Sequence, residues 1–294
     1  MKRAGFYIFF VFNYIITLLP LRVLYILSDL FFILIYYITG YRRRVVEQNL
    51  RNAFPEKSPE ELKKIEIGFY RHLCDIIVET LKAVHMSPGE ISKRFNAGGL
   101  SALETLYREG RDIVTLCSHY NNWEWFSATQ IATPYKIITI YKPLKNKYFD
   151  GFILSLRTKY GVTARPMHNI LRELVTSRQE NVRTMSGFIA DQTPPRGDNS
   201  YWTTFLNQET GFFRGAEKIA VKYDMPVIFV NIVKTGRGYY KLEFKVITEH
   251  PKAEAPDYIT SRYAEMLEEV IRSKPEYWLW SHRRWKYKKN LENA

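Results

Sequence analysis

Residues 4–41 carry only two charges, Arg22 and Asp29, in an otherwise apolar run. Pro20 divides it into residues 4–19 and 23–38, each a little short of the roughly 20 residues a helix needs to cross hydrocarbon. Twelve aromatics fall within residues 1–41, a density that suits a membrane interface better than a soluble core. Lys2 and Arg3 precede the run as they would in a signal peptide. However, Leu18, Leu19 and Pro20 supply no small-residue cleavage site, so the pattern predicts an uncleaved anchor over 1–41. Basic residues stand at both ends, with Arg42, Arg43 and Arg44 after the run. Under the positive-inside rule both flanks go to the cytoplasmic side, and a single span and a re-entrant pair both remain open.

After the anchor the periodicity changes. Ser58, Pro59 and Glu61 form the start of a helix, a capping box with proline in the first turn. Leu62, Ile65, Phe69, Leu73, Ile76 and Ile77 then recur at helical spacing. Helices are expected at 100–107, 148–159, 170–175 and 215–223, and strands at 113–117, 136–141, 186–190, 227–233 and 240–247. The last two strands are joined by Thr235, Gly236, Arg237 and Gly238. A final helix presents Ile259, Tyr263, Met266, Leu267 and Val270 on one face. Strand and helix in alternation predict an α/β domain over 42–294, with a mixed, mostly parallel sheet flanked by helices.

Composition narrows the function classes. A chain of 294 residues that is 46% hydrophobic is neither disordered nor fibrous. Cys74 and Cys117 are too few for a disulfide framework or a structural zinc site. A net charge of +13 points to anionic partners. Residues 136–183 hold ten Lys or Arg against Asp150, Glu173 and Glu180, a face for an acidic carrier protein, a phosphorylated glycolipid or anionic lipid. The tail from Tyr277 to Lys289 interleaves Trp278, Trp280 and Trp285 with Arg283, Arg284 and Lys286, which suits the headgroup layer. No recognised nucleic-acid module accompanies these basic stretches, so nucleic acid is the remote alternative.

The candidate chemistry lies at Ser118-His119-Tyr120-Asn121-Asn122-Trp123-Glu124, where an apolar strand ends and a helix is about to begin. On one ideal helix His119 and Glu124 would stand about 140° apart, so His119 belongs in the turn. With Asn121 or Asn122 as cap, the Glu124 carboxylate can fold back to the imidazole. A carboxylate holding one ring proton leaves the other nitrogen free to take a proton from a hydroxyl. No serine nucleophile completes a triad: Ser118 adjoins His119, and Cys117 reads as strand core. The acceptor alcohol is therefore expected to attack an acyl donor directly. A metal site is not expected, because His119 lacks a second histidine four residues on.

The His119-x4-Glu124 pattern, with Asn121-Asn122-Trp123-Glu124, resembles the glutamate-bearing branch of the glycerolipid acyltransferases: the late, lauroyl and myristoyl type, acyltransferases of lipid A biosynthesis. The resemblance continues through Asn49-Leu50-Arg51-Asn52-Ala53-Phe54-Pro55, Tyr141-Lys142-Pro143-Leu144-Lys145-Asn146, Asp150, Arg157, Ala190-Asp191-Gln192, Gly215 with Lys218-Ile219-Ala220, and Trp280-Ser281-His282-Arg283-Arg284-Trp285-Lys286. It implies a membrane-bound O-acyltransferase at the bacterial inner membrane, its α/β domain facing the cytoplasm. His119 would be the general base and Glu124 its orienter, with Arg157, Asp191 and Gln192 at the substrate site and no cofactor. The implied donor is a thioester on acyl carrier protein or coenzyme A. The implied acceptor is a lipid A precursor, with another glycolipid, an aminolipid or a lysophospholipid as alternatives. Two positions have plainer readings: Arg157 pairing with Asp150 seven residues before it, and Asp191 capping a turn ahead of Pro194 and Pro195. Thr210-Gly211-Phe212-Phe213-Arg214 departs from the common pattern and leaves the acceptor open.

Overall fold

The computed structural model describes residues 3–195 and 200–289, and the backbone only of Ala102; Lys2 and residues 290–294 lie outside the described residues. The apolar run forms α1 (Arg3–Ile16) and α2 (Leu21–Ile33), parted at Pro20, with a wide final turn at Leu34–Ile38. Next come α3 (Arg43–Ala53), α4 (Pro59–Lys82), α5 (Pro88–Arg94), β1 (Phe95–Asn96), α6 (Glu104–Arg108) and β2 (Ile113–Cys117). A 3-10 helix at Trp123–Ala132 leads to β3 (Lys136–Tyr141), α7 (Lys147–Thr158), β4 (Thr163–Pro166), α8 (Ile170–Gln179) and β5 (Thr184–Ile189). The chain ends through β6 (Tyr201–Phe205), β7 (Gln208–Phe212), α9 (Gly215–Tyr223), β8 (Val227–Gly236), β9 (Tyr239–Thr248) and α10 (Tyr258–Ser273).

The main sheet runs in the order β1-β9-β8-β2-β5-β3-β4, parallel throughout except for the β8–β9 hairpin. The expected mixed, mostly parallel α/β sheet is what forms. Its central strand β2 is buried along its whole length. Alternation distributes the strand side chains to two cores. Val114, Leu116, Val227 and Phe229 pack with α9 and α10 on one face, and Ile113, Cys117, Ile228 and Val230 on the other. The β6–β7 hairpin forms a separate two-stranded sheet that the apolar alternation alone does not announce.

Ser58 caps α4 as its sequence requires: its Oγ accepts the Glu61 N–H at 3.2 Å, and Glu61 Oε2 accepts the Ser58 N–H at 2.8 Å. The helices α1 and α2 pack onto the rest of this fold. α2 buries Leu21, Leu24, Tyr25, Ser28 and Phe32, one helical stripe, and Tyr25 OH and Ser28 Oγ donate to Glu79 and Asp75 of α4 at 2.8 and 2.7 Å. α1 rests on α7 through Phe6 and Phe9, whose rings meet Phe149 at 5.2 and 5.1 Å. The opposite faces of both helices, including Ile8, Val11, Phe12, Ile26 and Leu30, are exposed and apolar.

The aromatic tail departs from the headgroup expectation. Trp278 and Trp280 are core residues, as is Arg284, at 3%, 0% and 1% exposure. The Arg284 guanidinium donates to Thr210 Oγ1 at 2.6 Å and Gly211 O at 2.7 Å and lies over the Phe212 ring. A buried guanidinium is tolerable only with such acceptors around it, and even so burial lowers it to about 10. The Thr210–Phe212 departure is thereby tied to the packing of this tail.

Candidate active site

Parallel pairing sets the site. Cys117 of β2 lies opposite Ile189 of β5, so the residues two steps beyond each, His119 and Asp191, emerge side by side at the carboxyl end of the sheet. His119 Nδ1 donates to Asp191 Oδ1 at 2.7 Å, since an ionised carboxylate can only accept. Asp191 Oδ2 accepts two more bonds, from the His119 backbone N–H at 2.9 Å and the Trp278 indole at 2.8 Å. Burial pushes this carboxyl up, but the imidazole beside it and the bonds from His119 and Trp278 outweigh burial and hold it below its ordinary range. The imidazole itself is 18% exposed. Its Nε2 is met by the Gln192 amide nitrogen at 3.2 Å, which makes Nε2 the acceptor.

The turn is stitched in place by the tail. Asn121 takes the left-handed conformation at φ 54°, which asparagine tolerates better than most residues. Its backbone N–H reaches Tyr277 O, its side-chain amide reaches Ile232 O at 2.7 Å, and Leu279 N–H returns to His119 O. Asn122 is the cap: its Oδ1 accepts the Trp125 N–H at 3.2 Å.

Glu124 occupies the first turn after that cap, but its carboxylate does not fold back to the imidazole. Arg157 of α7 clamps it in a two-point ion pair, Nε to Oε2 at 2.9 Å and Nη2 to Oε1 at 2.6 Å, and the Trp123 indole donates to Oε1 at 3.1 Å. Trp123 in turn sets its ring edge against His119 with centroids 5.1 Å apart, so Glu124 meets the imidazole only through that indole. Asp191, expected at the substrate site, holds the imidazole, and Glu124, the expected orienter, is held by Arg157. A geometry of strand register, which single-strand patterns do not contain, decides it. Arg157 pairs with Glu124 while Asp150 accepts the Leu144 N–H at 2.7 Å, and both Asp191 oxygens are taken by His119 and Trp278.

Beside Gln192 a cleft of about 470 Å³ opens past the end of α2, lined by Ile35, Thr39, Tyr41, Leu73, Ile77 and His282 among others. Burial lowers His282 to about 4, so it is neutral near pH 7, and its Nε2 accepts the Thr193 N–H at 3.3 Å. Burial also pushes the Cys117 thiol up to about 12, which keeps it from serving as a nucleophile.

Across residues 1–287 the sequence matches the family described as bacterial lipid A biosynthesis acyltransferase. The chain belongs to that family. It is 22% identical over 249 residues to the lipid A biosynthesis palmitoleoyltransferase of Escherichia coli K12, covering 83% of this chain and 79% of the relative. A lipid A biosynthesis acyltransferase of Shigella flexneri is similar to the same extent. Among solved structures, the 1-acyl-sn-glycerophosphate acyltransferase PlsC of Thermotoga maritima is similar at 15% identity and a TM-score of 0.36, over 88% of this chain and all of that one.

Two residues of this acyltransferase escaped the sequence reading. Trp278 looked like an interfacial aromatic, yet a buried indole must find an acceptor, and here it is Asp191. Glu79 lies three residues beyond Ile76 on the apolar stripe of α4, and a carboxylate on such a stripe is the signal that was available.

Proposed function

We propose that this acyltransferase moves a fatty acyl chain from a thioester on acyl carrier protein to a hydroxyl of a lipid A precursor, with His119 as the general base. Asp191 fixes the ring's tautomer and leaves Nε2 to receive the proton. The acceptor hydroxyl displaces Gln192 from Nε2 or shares the position with it. Its proton passes to Nε2 as its oxygen attacks the thioester carbonyl. When the tetrahedral intermediate collapses, the carbon–sulfur bond breaks and the imidazolium returns the proton to the departing thiolate. No acyl-enzyme forms. Glu124 and Arg157 brace the turn from the side of α7, and the apolar cleft beside Gln192 receives a lipid chain.

The observation that carries the reading is the 2.7 Å contact of His119 Nδ1 with a fully buried carboxylate, while the other ring nitrogen is held by a single displaceable amide. For the donor, support comes from Lys142 and Lys145 in the loop before α7 and Lys147 at the start of that helix. All three are exposed, whereas Arg157 and Arg178 of the same basic segment are committed to Glu124 and Asp112. The basic flanks at Arg3 and Arg42–Arg44 favour an anchor on the cytoplasmic face of the inner membrane.

The test is transfer of labelled acyl chains from carrier-protein and coenzyme A thioesters to a panel of lipid acceptors. His119→Ala is expected to lose roughly 100- to 10,000-fold in rate while melting as the parent does. Retained transfer removes the proposed base. Reversing charge at Lys142, Lys145 and Lys147 is expected to raise KM for the carrier-borne donor about tenfold, and to do so less at high salt. An unchanged KM assigns the patch to lipid instead.

A further inference from the structure

Glu79 is wholly buried in the last turn of α4, and its carboxylate receives donors from three different elements. Oε1 accepts Tyr25 OH of α2 at 2.8 Å; Oε2 accepts Tyr240 OH of β9 at 2.8 Å and the Asn122 side-chain amide at 2.6 Å. Its backbone carbonyl takes the Trp125 indole at 3.2 Å. A buried carboxylate is costly unless its lone pairs are used, and a neutral amide in its place would turn donor hydrogens toward donors. Because Glu79 takes the nitrogen end of the Asn122 amide, the oxygen end must face the Trp125 N–H, which is the cap of the helix that follows His119. We infer that Glu79 is a positioning residue for the His119 turn, setting the Asn122 cap and fastening the turn to the lipid-facing helix α2 through Tyr25. The inference rests on the proposal that this turn carries the base.

The experiment pairs hydrogen–deuterium exchange of residues 118–126 in the full-length protein with steady-state transfer kinetics. Glu79→Gln is expected to speed exchange there about tenfold. It should also lower kcat between about 10- and 100-fold with donor KM nearly unchanged, as a base held out of line would. Asn122→Asp alone sets two carboxylates face to face and is expected to be worse. The two substitutions together restore one carboxylate–amide bond with its ends exchanged, and an aspartate still caps. That double variant should regain the protection and most of kcat. A carboxylate that only supported the fold would shift the melting temperature, and the exchanged pair would not recover kcat; that outcome overturns the inference, as does unchanged exchange in Glu79→Gln. If Glu79→Gln does not fold, Tyr25→Phe and Tyr240→Phe each remove one donor and should raise exchange in the same segment about threefold; unchanged exchange in both overturns it equally. Failure of the parent to transfer acyl chains would instead sink the proposed chemistry and leave the exchange result standing.

Discussion

The three acceptor bonds on Asp191 determine what a minimal substitution does at that position. In Asp191→Asn the amide oxygen can keep the His119 and Trp278 N–H donors, and its NH2 then faces Nδ1. That makes Nδ1 an acceptor, moves the ring proton to Nε2, and removes the proposed base without removing the ring. The expected loss is about 1,000-fold or more in kcat with little change in melting. Glu124→Gln should behave differently. It leaves the half-buried Arg157 without a counter-charge, so we expect about 1 to 3 kcal/mol of lost stability in urea unfolding and a rate loss nearer tenfold. If Glu124→Gln proves the more severe in rate and Asp191→Asn is nearly silent, Glu124 orients the ring and the assignment from strand register is wrong.

At the scale of elements, what the sequence disclosed and what it withheld divide along a physical line. The strands over 113–117 and 136–141 and the helix over 215–223 were legible because a short apolar run or an amphipathic repeat bounded by glycine, proline or a cap is a local property. The Asn122 cap was legible for the same reason. The partner of His119 was not, because β2 and β5 are about seventy residues apart and their pairing register is fixed only by packing. The tail misled for a related reason: Trp278 and Arg284 have an interfacial composition, and only the tertiary fold supplies Asp191, Thr210 and Gly211 to satisfy them. The seam between α2 and α4 also yields a pH dependence. Burial raises the Glu79 carboxyl to about 7, against the bonds from Tyr240, Tyr25 and Asn122 that lower it, with Asp75 one turn away raising it further. A carboxyl raised in the folded state binds more protons there than when unfolded. Its contribution is therefore complete below about 4.5 and is lost as pH rises through 7. The unfolding free energy of the parent relative to Glu79→Gln should fall by up to about 3 kcal/mol between pH 5 and pH 8. His72 and His282, both lowered by burial, act in the opposite direction, but both proteins contain them and the difference cancels them. A difference that is flat in pH would mean Glu79 stays ionised throughout.

For the whole molecule the proposed membrane anchor raises the question of how α1 and α2 would meet a bilayer. Among the described residues Leu21–Ile38 is the one helical stretch long and apolar enough to cross, yet a third of it is buried against protein. The buried side is not wholly apolar. Ser28 donates to Asp75 and Tyr25 to Glu79, and Arg237 from the end of the β8–β9 hairpin bridges Asp29 and Asp75 at 2.7 Å each. Were α2 to stand across the membrane, this polar ladder and the part of α4 that carries it would stand in hydrocarbon too, at several kcal/mol for each charge. With α1 and α2 lying in the plane of one leaflet, Ile8, Val11, Phe12, Ile26 and Leu30 turn into lipid while the ladder stays with the domain. The two arrangements differ in where residues 18–20, the exposed link between the helices, come to rest. A span over Leu21–Ile38 puts the link on the side opposite Arg42, and an in-plane pair keeps it on the same side. The native thiols Cys74 and Cys117 are both buried and raised to about 12, so a cysteine introduced by Leu18→Cys can be read against a silent background. A membrane-impermeant maleimide is expected to label it in inverted inner-membrane vesicles and not from the periplasmic side of intact spheroplasts. Labelling from the periplasmic side would mean that α2 spans, and that α4 must part from it to let it do so.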